Sequence, residues 1–147
     1  MTRPLSAQEI EEQVARHLPQ AVVEVTPAAI IVVRSESLPE VARLLKETPG
    51  LGFDYLVSIT GVDYLDYFEV TYHLVSLEHN HSLVLKTRVS DRDDPAVPSV
   101  VELWRAADFQ EREVYDLMGI RFSGHPNLKR LLLWEGFAGH PLRRDYL

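Results

Sequence analysis

Three stretches of apolar–polar alternation constrain the fold of this chain most. Residues 53–60 set Phe53, Tyr55, Val57 and Ile59 against Asp54, Ser58 and Thr60. Residues 68–77 set Phe68, Val70, Tyr72 and Leu74 against Glu69, Thr71 and His73. Residues 81–89 follow a polar turn at Glu78-His79-Asn80. A period of two sends successive side chains to opposite faces of a sheet, so these segments predict strands with one face covered and the other wet. Residues 21–25 and 29–34 flank Thr26-Pro27-Ala28 and predict a hairpin.

Four helix starts carry a reciprocal capping pattern: Ser6/Glu9, Ser37/Glu40, Ser99/Glu102 and Asp108/Glu111. Ile10, Val14 and Leu18 line one face of the first helix, which stops at Pro19. Leu38, Val41, Ala42 and Leu45 line the second, which ends at Thr48-Pro49-Gly50. Asp91 to Pro98 reads as a loop. A short helix then holds Leu103 and Trp104, and a last one runs from about Phe109 to Met118, closed by Gly119. The expected fold is α+β, a mainly antiparallel sheet packed with helices in the order α-β-β-α-β-β-β-α, followed by an extended C-terminal tail.

A length of 147 residues suits one domain. The net charge of −7 is unevenly spread. Residues 1–120 hold 10 basic and 20 acidic side chains, whereas residues 121–147 hold 5 basic and 2 acidic ones. This divides the chain into an acidic body, 1–120, and a basic tail, 121–147, suited either to an acidic partner surface or to folding back on its own acidic body, a choice that charge patterning alone does not make. There is no cysteine, which excludes disulfides, thiolate ligation of zinc or iron–sulfur clusters, and a cysteine nucleophile. No apolar run reaches the roughly 20 residues that span a bilayer. Met1-Thr2-Arg3-Pro4 lacks the apolar stretch of a signal peptide, so a cytoplasmic location is expected.

The helix over 109–118 concentrates charge in Glu111, Arg112, Glu113 and Asp116. Arg112 and Asp116 are spaced to pair on one face, and Val114, Leu117 and Met118 form the expected buried stripe. Glu111, Glu113 and Asp116 could do acid–base work only in a pocket that shifts their pKa values, so a capped helix with a charged outer face is the favoured reading. His79 and His81 flank a turn without a convincing third ligand and read as solvated. His125 and His140 each precede a proline, which favours extended backbone and hydrogen bonds to a neighbour. No dinucleotide fingerprint, phosphate loop or nucleophile elbow is present. Phe122, Trp134 and Phe137 interleave with basic residues, but the acidic total argues against nucleic-acid binding.

Glu111-Arg112-Glu113, Asp116-Leu117-Met118, His125, Lys129 and the later Gly139-His140-Pro141-Leu142-Arg143-Arg144-Asp145-Tyr146 fall at the spacings of a family signature. So do Asp54-Tyr55-Leu56 and Gly61-Val62-Asp63-Tyr64. They resemble the 30-kDa subunit, also called the C subunit, of the proton-pumping NADH:quinone oxidoreductase, respiratory complex I. The family pattern has proline after Asp-Tyr, where this chain has Leu147. The resemblance implies a non-catalytic structural and assembly subunit of the peripheral arm, peripheral to the cytoplasmic side of the cell membrane and touching it only through partners. It implies no cofactor on this chain, with FMN, iron–sulfur clusters, NADH and quinone on other subunits. The chief partner would be the hydrogenase-like large subunit. Glu111, Arg112, Glu113, Asp116, His125, Lys129, Arg130, His140, Arg143, Arg144 and Asp145 would carry the signature and the interface. Alternatives are the equivalent subunit of an energy-converting hydrogenase or deazaflavin-dependent dehydrogenase, a free-standing enzyme using Glu111, Glu113 and Asp116, and a generic adaptor.

Overall fold

The computed structural model describes residues 3–4, 7–18, 20–26, 30–126, 128 and 139–143. Strand β1 (Arg3–Pro4) precedes helix α1 (Ala7–His17) and the strands β2 (Val22–Thr26) and β3 (Ile30–Val33). A 3-10 turn (Ser35–Ser37) leads into helix α2 (Leu38–Glu47). Strands β4 (Tyr55–Asp63), β5 (Phe68–Ser76) and β6 (His81–Val89) follow, then β7 (Ala96–Pro98), helix α3 (Ala107–Met118) and β8 (Arg121–Ser123). The main sheet runs β2-β3-β6-β5-β4, with β1 alongside β6. Pairs β2/β3, β4/β5 and β5/β6 are antiparallel, while β3/β6 and β1/β6 are parallel. The α+β class and the order of the major elements are those expected from the sequence.

Helix α2 shows why periodicity succeeds. Leu38, Val41, Ala42 and Leu45, its expected apolar stripe, are the four residues it buries. They share one core with Val14 of α1, Phe68, Val70, Tyr72 and Leu74 of β5, Leu83 and Leu85 of β6, and Val114 and Met118 of α3. Each large apolar side chain so buried contributes about 1.5–3 kcal/mol.

Several local expectations fail for identifiable reasons. In β4 the register slips between Leu56 and Ser58. That bulge turns Leu56 and Ile59 inward and leaves Tyr55 and Val57 about half exposed, at 52% and 49%, against the simple alternation. Ser37 has no side-chain cap bond because it continues the 3-10 turn, at φ −96° and ψ −3°, rather than taking the extended backbone of a capping residue. Residues 101–103 form turns rather than the expected short helix. Ala96–Pro98, placed in a loop, is strand β7, paired in parallel with β8. His81 is buried rather than solvated, and its Nε2 donates to the Leu51 carbonyl at 2.8 Å. Ser6 and the side chain of Ile10 lie outside the described residues.

Candidate functional site

Helix α3 lies against the edge strand β4. Gly61 makes the approach possible: a Cβ there would sit 3.1 Å from Val114 Cγ1 and 3.3 Å from Met118 Cγ. Gln110 Oε1 accepts from the Ile59 amide at 2.5 Å, satisfying a backbone donor of the edge strand.

The charged face expected to be solvated is largely buried. Glu111 and Asp116 are fully buried and Arg112 nearly so, while Glu113 is exposed. Glu111 does not cap its own helix. Its Oε1 accepts from Ser99 Oγ at 2.6 Å and its Oε2 from the Val100 amide at 2.9 Å, tying the segment after β7 to α3. Ser99 is thereby a partner of Glu111, not the cap of a separate helix. Burial raises the Glu111 pKa, and the Ser99 and Val100 bonds and the nearby His125 only partly offset it. The Tyr72 hydroxyl is buried with no hydrogen-bond partner, and burial together with the Glu111 charge holds its pKa well above the usual tyrosine range.

Asp108 lies in the first turn of a helix that starts at Ala107, capped by no side chain. His125, whose side chain is fully buried, donates from Nε2 to the Asp108 carbonyl at 3.1 Å and lies 3.0 Å from Asp108 Oδ1. The β8 end of the basic segment belongs to the body, because Phe122 is 2% exposed in the common core.

The other end of α3 is closed by a segment distant in sequence. A helix leaves its last four carbonyls without internal partners. Gly119, at φ +76°, returns its amide to the Tyr115 carbonyl at 2.8 Å. His140 Nδ1 donates to the Asp116 carbonyl at 3.0 Å, the Leu142 amide to Leu117 at 3.0 Å, and Arg143 Nε to Met118 at 2.6 Å. All four carbonyls are satisfied, and Arg143 supplies the positive charge that the last turn of α3 lacks. The Arg143 guanidinium also lies 4.9 Å from the Phe68 ring centroid. Arg92 lies 4.5 Å from the same ring while chelating Asp63 at 2.6 and 2.9 Å.

The structure thus brings Glu111, Arg112, Asp116, His125, His140 and Arg143 together on or around one helix, α3, and leaves Glu113 on the exposed face of that helix. Lys129, Arg130, Arg144 and Asp145 lie outside the described residues. Sequence reasoning missed the roles of Ser99, Gln110, Phe68 and Arg92, whose partners are far away in the chain. Gly61 and Asp63 could have been found, since both belong to the Gly61-Val62-Asp63-Tyr64 motif. Glu111 and Glu113 do not converge: one faces residues 99–100, and the other lines a cleft of about 120 Å³ with Ile59, Gly61, Val114, Leu117 and Leu142. A larger groove of about 600 Å³, walled by Leu18, Pro39, Leu44 and Pro49, contains none of the signature residues. Among the described residues no group of three metal-binding side chains occurs, and no helix is long and apolar enough to cross a membrane.

The fold and site define an α+β protein built around a charged helix whose far end is closed by a remote basic segment. The profile of the family described as respiratory-chain NADH dehydrogenase, 30 Kd subunit, matches residues 31–147, and the chain belongs to that family. Similar curated proteins include the C subunit of the NADH-quinone oxidoreductase of Roseiflexus castenholzii, 48% identical over 77% of this chain and 66% of that one. The corresponding C subunit of Cupriavidus pinatubonensis is 40% identical over 86% of this chain and 68% of its own length. The chain therefore spans about two thirds of the length of these relatives. Among solved structures, a chain of the membrane-bound sulfane sulfur reductase, an archaeal respiratory membrane complex, aligns with a TM-score of 0.78 and 27% identity. That alignment covers 95% of this chain and 84% of the other.

Proposed function

We propose that this chain is a non-catalytic structural subunit of the peripheral arm of an NADH:quinone oxidoreductase, supporting electron transfer from NADH to quinone coupled to proton translocation. The observation that carries the reading is the use made of the family signature. Its charged residues brace α3 and the segments on either side, and Glu111 and Glu113 do not face a common cleft. A scaffold of this kind holds neighbours in register, while FMN, iron–sulfur clusters, NADH and quinone belong to other subunits. The basic segment from Arg121 onward suits an acidic neighbour, for which the hydrogenase-like large subunit is the leading candidate. The chain would lie on the cytoplasmic side of the cell membrane, held there by its partners.

A second reading has a specific observation behind it. The similarity to a chain of the sulfane sulfur reductase complex supports a related membrane complex with another electron donor. The higher identity to the NADH-quinone oxidoreductase subunits favours the first.

Affinity isolation of the tagged chain from native membranes separates the two. Recovery of the large subunit, with NADH:quinone reductase activity in the isolate, is expected. Companions that reduce sulfur compounds or protons without oxidising NADH would transfer the assignment to the second reading. Turnover by the isolated chain would overturn both.

A further inference from the structure

The hairpin between β4 and β5 ends in a costly way. Leu65 occupies the left-handed region at φ +72°, where a γ-branched side chain is uncommon. The hairpin between β5 and β6 meets the same need with Asn80 at φ +56°, a residue type suited to it. Leu65 is also 52% exposed and Tyr64 is 44% exposed. An apolar residue in a strained conformation at a solvated tip contributes nothing evident to the core.

This tip is held rigidly. Asp63 accepts the Leu65 amide at 2.8 Å and is itself chelated by Arg92. The Tyr64 amide bonds the Tyr67 carbonyl at 3.0 Å. The Tyr64 ring lies 5.2 Å from the Tyr67 ring, over which Arg88 sits at 5.3 Å, and Arg88 is fixed by Glu69 at 3.0 Å. A turn backbone and an aromatic ring held in place before contact lose little entropy on binding, which is the property of an interface anchor.

The surroundings specify the complementary surface. Asp66 on the tip, and Asp91 and Asp93 on the adjoining loop, are exposed. The arginines nearby are already committed, Arg92 to Asp63 and Arg121 to Asp94. An apolar projection with an acidic rim fits an apolar pocket rimmed by lysine or arginine, and it disfavours an anionic lipid surface.

We infer that Tyr64 and Leu65 form a second docking anchor, separate from the basic C-terminal segment, that inserts into a basic-rimmed apolar pocket of a protein partner. The inference rests on the assembly reading above and names a contact that reading does not require.

The test compares hydroxyl-radical oxidation of Tyr64 and Leu65 in the isolated full chain and in the complex isolated from native membranes. Oxidation of both should fall several-fold in the complex. Leu65→Asn, which suits the left-handed backbone, should keep or raise the melting temperature of the isolated chain yet lower recovery of companion subunits about tenfold. Equal oxidation in both states would overturn the anchor, as would full recovery with the Asn variant. So would protection by vesicles of anionic lipid alone, or by self-association of the isolated chain. If the unaltered chain recovers no companions at all, it is the assembly reading that fails.

Discussion

Gly119 and His140 pack so closely that a Cβ on the glycine would lie 2.6 Å from Cδ2 of the histidine ring. The same Cβ would fall 2.7 Å from an Arg143 guanidinium nitrogen. The end of α3 therefore depends on a side chain that is not there, and the segment 139–143 occupies the space it leaves.

Gly119→Ala and Gly124→Ala form a matched pair. Both glycines have positive φ, +76° and +86°, but nothing lies within 4 Å of a Cβ at Gly124. Alanine at 124 should cost about 1 kcal/mol of backbone strain. Alanine at 119 should cost that and a further 1–3 kcal/mol or so for displacing His140 and Arg143. Urea midpoints of the two variants measure the difference, and equal losses would show that the segment does not pack on Gly119.

Glu111 gives stability an unusual pH dependence. Its pKa is raised in the folded chain, chiefly by burial. Between the ordinary glutamate value and the raised one, the folded state binds more protons than the unfolded state. Stability contributed by this group is therefore full below the ordinary value and falls as pH rises through the raised one. Glu111→Gln keeps an acceptor for the Val100 amide and an amide that can donate to Ser99. Its unfolding free energy should lack that decline, so the wild-type minus variant curve should slope downward across the window. A flat difference curve would mean that Glu111 is not buried as described.

Tyr72→Phe tests the other half of this cluster. The Tyr72 hydroxyl is buried without a hydrogen-bond partner, which costs about 1–3 kcal/mol. Removing it should leave the fold intact and raise stability by about 1 kcal/mol, a gain readable as a higher urea midpoint. A loss of that size instead would reveal a bond made by the hydroxyl.

A boundary also follows for truncation. Removing residues 121–147 would take out β8 and the core residue Phe122, so unfolding of such a variant would say nothing about assembly. Removal from Gly124 onward spares both but uncaps α3, and should lower stability by about 1–3 kcal/mol for carbonyls left less well paired. Thermal denaturation of that variant measures the cost directly.

Periodicity was legible wherever one face of an element meets the core and the backbone is regular. Helix α2 and strand β6 follow it, Leu38, Val41, Ala42 and Leu45 lying on one face of the helix. In β5 Phe68, Val70, Tyr72 and Leu74 share the core face as expected, but Glu69 and Thr71, expected on a wet face, are buried as well, with Glu69 paired to Lys86 and Arg88. It failed at β4, where one bulged residue exchanged the exposure of Tyr55 and Leu56. The capping patterns expected at Ser37, Ser99 and Asp108 failed for a related reason. A serine or glutamate is equally able to bond a distant group, and Glu111 bonds Ser99 and Val100 rather than the start of its own helix.

Period and spacing along the chain fix the α+β class, the order of the major elements and the clustering of charge on one helix, while the family was legible through the resemblance of the Glu111–Met118 and Gly139–Tyr146 motifs. Folding is what buries Glu111, Arg112 and Asp116, lets Gly61 admit α3 to the edge strand, and brings residues 140–143 to close its far end. The reason is physical: hydrogen-bond partners and close approaches are fixed by which surfaces meet in space, and Asp116 and His140 become neighbours only after the chain has folded.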